Sequence, residues 1–202
     1  EVAGSVWTHW HAHPDALMGL AALEAAFLMG VGPLRERYRL AEAVDPRQVA
    51  TFTAGVMVIF VALLSPIHEL SDGFLFSAHM VQHVLLTLVA PPLLILGTPE
   101  WLIRPFLRSN RVFRLARLAT HPVFAFSAFT IIFSVWHIPS LYNVSVTHHW
   151  VHIGEHLLFM GSAALMWWPV VGAMPELPRL SAPLQMLYLS LLSIAQIVVF
   201  AP

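Results

Sequence analysis

The sequence has no cysteine and no lysine, and only 10% of its 202 residues are charged. Without cysteine there are no disulfides and no thiolate metal sites, so a bound metal must use imidazole, thioether, carboxylate or amide ligands. The net charge of −1 provides neither a basic surface for nucleic acid nor an acidic tail for a basic partner, and we expect no nucleic-acid partner. A soluble domain usually has about a quarter charged residues, so water is not the main solvent of this chain.

Hydrophobic residues make up 58% of the chain, and long apolar runs match the hydrocarbon thickness of a bilayer. Each run must be a helix, because a single span in hydrocarbon has to satisfy its own backbone hydrogen bonds. The predicted fold is therefore all-α, a transmembrane helix bundle forming one domain over residues 1–202. Pro91-Pro92 predicts a kink in the third span. The six predicted spans are 16–34, 49–66, 74–97, 123–138, 149–171 and 183–201.

The arginines predict the orientation of the bundle. All ten lie between spans one and two, three and four, or five and six, whereas the loops 67–73 and 139–148 have none. The positive-inside rule makes the arginine-bearing loops cytoplasmic and places the N-terminus outside. The stretch from Arg104 to Arg117 is compatible with an amphipathic helix on the inner leaflet and equally with a solvated loop.

Histidines show the opposite bias. With this topology, of the twelve histidines only His121 is cytoplasmic. An extracytoplasmic imidazole cluster is therefore a feature of the sequence that needs a chemical reason. The histidines predicted on the outer side are His9, His11, His13, His68, His79, His83, His137, His148, His149, His152 and His156.

Two pairs of these histidines have the spacing of metal ligands. His79 and His83 on the third span, and His152 and His156 on the fifth, are each four residues apart and project from one helix face. Two helices with two imidazoles each would make a four-nitrogen site, or three ligands and an open position. Met80 lies beside the first pair, and a thioether with imidazoles suits Cu(I), although methionines in apolar helices usually fill the core.

Other polar residues near the pairs have two interpretations each. His148 and His149 extend the second pair as further candidate ligands, and His137 is either a ligand or a hydrogen-bonding packing residue. Glu155 is a candidate for orienting an imidazole through its N–H. Glu24, inside the first span, needs a partner or stays protonated, and its role is open. The N-terminal histidines and the polar loop residues His68, Glu69 and Asp72 either attract metal to the entrance or are simply solvated.

Five segments carry a family resemblance: His79-Met80-Val81-Gln82-His83-Val84-Leu85-Leu86, the run Ala90-Pro91-Pro92 through Gly97-Thr98-Pro99, Trp136-His137-Ile138-Pro139, His152-Ile153-Gly154-Glu155-His156-Leu157 and Trp167-Trp168-Pro169-Val170. Together they resemble the CtaG family of caa(3)-type cytochrome c oxidase assembly factors. The resemblance implies a multi-pass protein of the bacterial plasma membrane that acts in copper insertion. It also implies about seven spans, and because the sixth ends abruptly with no exit loop we expect the chain to be truncated at the C-terminus.

The resemblance carries the family's functional residues to His79, His83, His152 and His156, with His137 and Glu155 beside them. A cysteine-bearing copper chaperone that shares the CtaG name is excluded, because this chain has no cysteine. We therefore predict a non-enzymatic metallochaperone that binds copper, as Cu(I), with zinc as a substitute, on the extracytoplasmic side and delivers it to a cytochrome c oxidase subunit within the lipid bilayer. A bis-histidine haem b electron-transfer protein and a copper transporter are the alternatives. The number of metals, the receiving subunit and the oligomeric state are open.

Overall fold

The computed structural model describes residues 14–67, 70 and 76–200. Within these ranges the regular elements are all helices, so the predicted all-α class is confirmed there. Several predicted entrance residues lie outside the described residues, namely His9, His11, His13, His68, Glu69 and Asp72.

A helix lies at each of the six predicted spans. Helix α1 (Pro14–Tyr38) contains a π-helical turn at Gly30–Leu34, and α3 consists of Phe76–Val84, a π-helical turn at Leu85–Val89, and Ala90–Gly97. Short helices also occupy two of the predicted loops. The remaining helices are α2 (Pro46–Leu64), α4 (Glu100–Ile103, followed by a 3-10 turn), α5 (Asn110–Ala119), α6 (Pro122–Trp136), α7 (Pro139–Thr147), α8 (His149–Val171) and α9 (Ala182–Phe200).

Three of these helices, α1, α2 and the Ser77–Gly97 part of α3, are long and apolar enough to cross a membrane. A fourth candidate is the pair α5 and α6, which are bent by 65° relative to each other. Helix α8 has 23 residues, but three histidines and Glu155 in its first half lower its mean hydropathy. The chain is therefore a membrane protein with three to four candidate spans, and the six-span count and the outside N-terminus stay predictions.

The chain divides into two compact units, Glu1–Pro105 and Phe106–Pro202, and the prediction of one domain stays a prediction. In the first unit α2 packs against α1 and α3. Its core centres on Phe27 and Phe52, whose rings stack with centroids 3.8 Å apart. Burying two such rings supplies a large share of the stabilisation of this small core.

Close contact between α2 and α3 depends on Gly97. A Cβ atom built there would lie 2.3 Å from the backbone nitrogen of Phe52 and 2.6 Å from its Cα. Only glycine leaves room for this approach. The end of α3 is thereby held against the second turn of α2, which begins at Pro46 behind the N-cap Asp45.

The π-helical turn in α3 lies immediately before Pro91-Pro92. Proline cannot donate a helical hydrogen bond, and wide turns of this type absorb such local mismatches and are frequent at functional sites. A π turn therefore lies between the two prolines and the first histidine pair, and the kink at the prolines stays a prediction. Within it, the Thr87 hydroxyl donates to the carbonyl oxygen of His83 at 2.6 Å.

In the second unit α6 packs against α8 and α9, and α7 packs against α8. The core is rich in aromatic rings, and the buried hydroxyl of Tyr188 on α9 donates to the carbonyl oxygen of Met166 on α8 at 3.0 Å. This packing fixes α8, which carries the second histidine pair. The buried core residues are Phe129, Phe133, Phe159, Ala163, Met166, Tyr188 and Leu192.

Candidate metal centre

The first histidine pair is buried in α3. His79 and His83 are 3% and 1% exposed, and their ring centroids are 4.1 Å apart. One ring nitrogen of His79 lies within 4.8 Å of a ring nitrogen of His83. Bonds of about 2.0–2.1 Å to one metal keep two imidazole nitrogens at most about 4.2 Å apart, so small side-chain rotations would let this pair share an ion.

Two polar side chains fix the backbone around this pair. Gln82, which is fully buried, donates through Nε2 to the carbonyl oxygen of Ala62 in α2 at 3.0 Å. Thr87 bonds the carbonyl oxygen of His83. The first contact ties α3 to the last turn of α2, and the second stabilises the π turn. Sequence reasoning assigned no role to either residue, although a glutamine and a threonine inside an apolar helix were a signal.

Met80 is half-buried and precedes His83 by three residues, so the two lie about one helical turn apart. Its thioether is therefore within one turn of an imidazole. Its role as a ligand stays a prediction.

The second pair lies in the first half of α8. The ring centroids of His152 and His156 are 4.3 Å apart and their planes are inclined by 76°. His156 is buried and His152 half-buried. Both helices thus hold two neighbouring imidazoles at the predicted spacing of four residues.

Glu155 is buried beside the second pair, and the Ser145 hydroxyl of α7 donates to its Oε2. This bond ties α7 to α8 and supplies a donor to a carboxylate that burial would otherwise destabilise. The role of Glu155 in orienting an imidazole stays a prediction. Ser145 was missed, because a serine in a predicted loop gives no signal of a buried contact.

His137 follows α6 and has a defined hydrogen bond. Its Nδ1 lies 2.6 Å from the carbonyl oxygen of Phe133, and its ring is nearly parallel to that of Phe159, at 11°. Because a carbonyl only accepts hydrogen bonds, Nδ1 must carry the proton, and the lone pair is on Nε2, the nitrogen that a metal would bind. The packing role of His137 is therefore present, and its role as a ligand stays a prediction.

His148 and His149 are exposed at the start of α8. His148 is the N-cap residue, with its Nδ1 at 2.9 Å from the hydroxyl oxygen of Thr147, and the ring of His149 contacts that of Trp150. Both differ in burial from His156, because the buried residues of α8 begin only at Glu155. They are therefore suitable controls for the buried pairs.

Glu24 in α1 has one partner in α2. The Thr53 hydroxyl donates to Oε1 at 2.6 Å, whereas Oε2 is buried without a hydrogen bond among the described residues. Thr53 is thus a hydrogen-bond partner of Glu24 and links α1 to α2, and the role of Glu24 stays open.

We expect Thr53→Val to lower the free energy of unfolding by about 1–3 kcal/mol, because it leaves the Glu24 carboxyl without a donor. Adding Glu24→Leu to that variant should restore most of the loss, since a buried polar pair replaced by apolar groups is nearly neutral. Thermal unfolding in detergent measures both changes. Equal unfolding temperatures for Thr53→Val and the wild type would contradict a stabilising role of this bond.

Comparison with known proteins identifies the family. The family model described as cytochrome c oxidase caa3 assembly factor (Caa3_CtaG) matches residues 25–202. Two uncharacterized proteins, one from Mycobacterium bovis and one from Mycobacterium tuberculosis, are each 26% identical to the chain over 189 residues. That alignment covers 84% of this chain, and the chain spans only 28% of the length of these curated relatives.

No solved structure matches the chain. The family match includes both histidine pairs, His137 and Glu155, and it extends over most of the sequence. The chain therefore belongs to the family of cytochrome c oxidase caa3 assembly factors.

Proposed function

We propose that this membrane protein is a non-enzymatic assembly factor that binds copper, as Cu(I), and passes it to a subunit of the oxidase. The proposed ligands are His79, His83, His152 and His156. The observation that carries the proposal is that each pair holds its imidazole rings close together, with centroids 4.1 Å and 4.3 Å apart, on a largely apolar helix.

Burial supports a role beyond packing. Polar side chains at membrane depth are costly, and they usually mark ligand or ion sites. Imidazole is a good ligand for copper and also for zinc, which we expect as a substitute. The fixed contacts of Gln82 and Thr87 near the first pair, and of Ser145 and Glu155 near the second, would hold the ligands in place before the ion arrives.

Delivery requires ligands that release the ion. A neutral imidazole binds copper and a protonated one does not, so each histidine provides a route for exchange. We propose that the site faces the extracytoplasmic side of the bacterial plasma membrane and that the receiving oxidase subunit docks within the bilayer. The family supports the assembly role, and the copper transfer is our addition to it.

The test is the metal content and visible spectrum of the purified chain after Cu(I) is supplied under reducing conditions. We expect near-stoichiometric copper and no Soret band in the wild type. His79→Ala with His83→Ala should remove the copper, because it deletes half of the proposed ligands. The matched control, His148→Ala with His149→Ala, changes two exposed histidines and should keep it.

Two results would contradict the proposal. A Soret band in the purified protein would assign the histidines to haem b. If the wild type takes up no copper, the two histidine pairs serve in packing or in docking to a partner.

A further inference from the structure

Helix α5 in the second unit is basic, and its charges have no partners among the residues that the structure describes. Arg108 just before it and Arg111, Arg114 and Arg117 within it are all exposed. No acidic residue occurs between Glu100 and Glu155, and none of the four arginines has an ion pair or a side-chain hydrogen bond in the part of the chain that the structure describes. By contrast, Arg35 donates to the carbonyl oxygens of Val31, Ala41 and Glu42.

An exposed apolar row runs beside the arginines of α5. Val112, Leu115 and Leu118 are 42%, 66% and 58% exposed, and their spacing of three residues places them one above another along the helix. Phe113, Ala116 and Ala119 are half-buried, and α5 contacts α6. The helix therefore has one half-buried face, one exposed apolar face and one exposed basic face.

The turn between α5 and α6 sets the direction of α5. The two helices are bent by 65° at Thr120-His121, where the buried Thr120 hydroxyl donates to the carbonyl oxygen of Ala116 at 2.7 Å. Membrane-spanning helices are tilted by about 20° on average from the bilayer normal. With the predicted span 123–138, which α6 fills almost entirely, tilted in this way, α5 lies closer to the membrane plane than to its normal.

We propose that α5 is an interfacial helix that binds anionic phospholipids of the inner leaflet. Val112, Leu115 and Leu118 enter the region of the acyl chains, and the four arginines bind lipid phosphate groups. Guanidinium groups suit phosphate because they donate two parallel hydrogen bonds to it. This surface shares no residue with the proposed copper ligands, and the proposal does not depend on them.

Both exposed faces favour lipid over an acidic protein segment. An acidic segment would pair the arginines but leave the adjacent apolar row in water. A leaflet of anionic lipids provides phosphate at the depth of the arginines and hydrocarbon just below it, which is the environment of interfacial amphipathic helices. The occupant that fits the entire surface is therefore the membrane.

The absence of cysteine makes a direct test available, because a single introduced cysteine can be labelled with bimane. The full chain carrying Leu115→Cys is reconstituted into vesicles of phosphatidylcholine and phosphatidylglycerol in equal parts. Ile131→Cys, on the exposed side of α6, serves as the lipid reference, and Glu42→Cys, in the loop after α1, as the water reference. We expect brominated acyl chains to quench the label at 115 as they do the label at 131. If aqueous acrylamide quenches the label at 115 as strongly as the label at 42, the proposal is overturned. Helix α5 would then face water or a protein partner.

The arginines are tested by the preference of the protein for spin-labelled phosphatidylglycerol over phosphatidylcholine. Arg111→Gln, Arg114→Gln and Arg117→Gln together should lower this preference, by up to about fivefold for each arginine removed before salt screening. The matched control, Arg37→Gln, Arg39→Gln and Arg47→Gln, removes the same charge from exposed positions of the first unit and should have a smaller effect. Replacing the three α5 arginines by lysine should retain most of the preference. An unchanged preference in the α5 glutamine variant would overturn the proposal.

Discussion

Removing either histidine pair is expected to lower the affinity for Cu(I) by at least about a hundredfold, since loss of a supporting residue alone costs ten- to a hundredfold in many metal sites. The two variants are His79→Ala with His83→Ala, and His152→Ala with His156→Ala. Each deletes two imidazoles of the proposed four. Competition with a Cu(I) chelator under reducing conditions measures the affinity and the number of ions bound per chain.

The controls separate ligand loss from unfolding. All four histidines are at least half-buried, so each variant is first compared with the wild type by thermal unfolding. His148→Ala with His149→Ala should bind copper like the wild type, because both side chains are exposed. A pair variant that stays folded and keeps a full copper ion at wild-type affinity would show that this pair is not part of the site.

Long apolar helices were the most predictable part of the fold. The predicted span 149–171 coincides with α8, and the starts of α2 and α6 are explained by Pro46 and Pro122 at the first helical position. Hydropathy alone did not settle the number of spans. The same histidines and glutamate that predicted a site in α8 also lower its mean hydropathy, so one feature supports the site and weakens the evidence for a span.

Short helices were less predictable. Residues 110–119 were compatible with a helix or a loop, and residues 139–147 were assigned to a loop, yet α5 and α7 form there. Their length of nine or ten residues is marginal for an isolated helix, so tertiary contacts decide whether they form. Helix α7 packs against α8, and it brings Ser145 to Glu155.

Within the candidate site, spacing along one helix was enough to predict which rings are neighbours. His79 and His83, and likewise His152 and His156, are close because residues four apart lie on the same helix face. Contacts between helices, such as Gln82 with Ala62 and Thr53 with Glu24, depend on how the helices pack. A single sequence does not show how the helices pack, so these contacts could not be predicted from it.

Replacing Gly97 by alanine is expected to lower the free energy of unfolding by about 3 kcal/mol or more, at the upper end of the range for overpacking. The added methyl group would lie 2.3 Å from the nitrogen and 2.6 Å from the Cα of Phe52. Those are backbone atoms, which cannot rotate away, so α2 and α3 must move apart. Thermal unfolding followed by circular dichroism in detergent measures the loss.

Gly19→Ala is the matched control, because Gly19 lies inside α1 and has no atom within 4 Å of a built Cβ. Alanine there should stabilise the helix by up to about 1 kcal/mol. Since Gln82 binds the carbonyl oxygen of Ala62, separation of α2 from α3 should also disturb the first histidine pair and reduce Cu(I) affinity with every histidine still present. If Gly97→Ala has the stability and the copper affinity of the wild type, the close packing of α2 on α3 is not required for either property. If it loses copper without losing stability, Gly97 acts by positioning the first histidine pair.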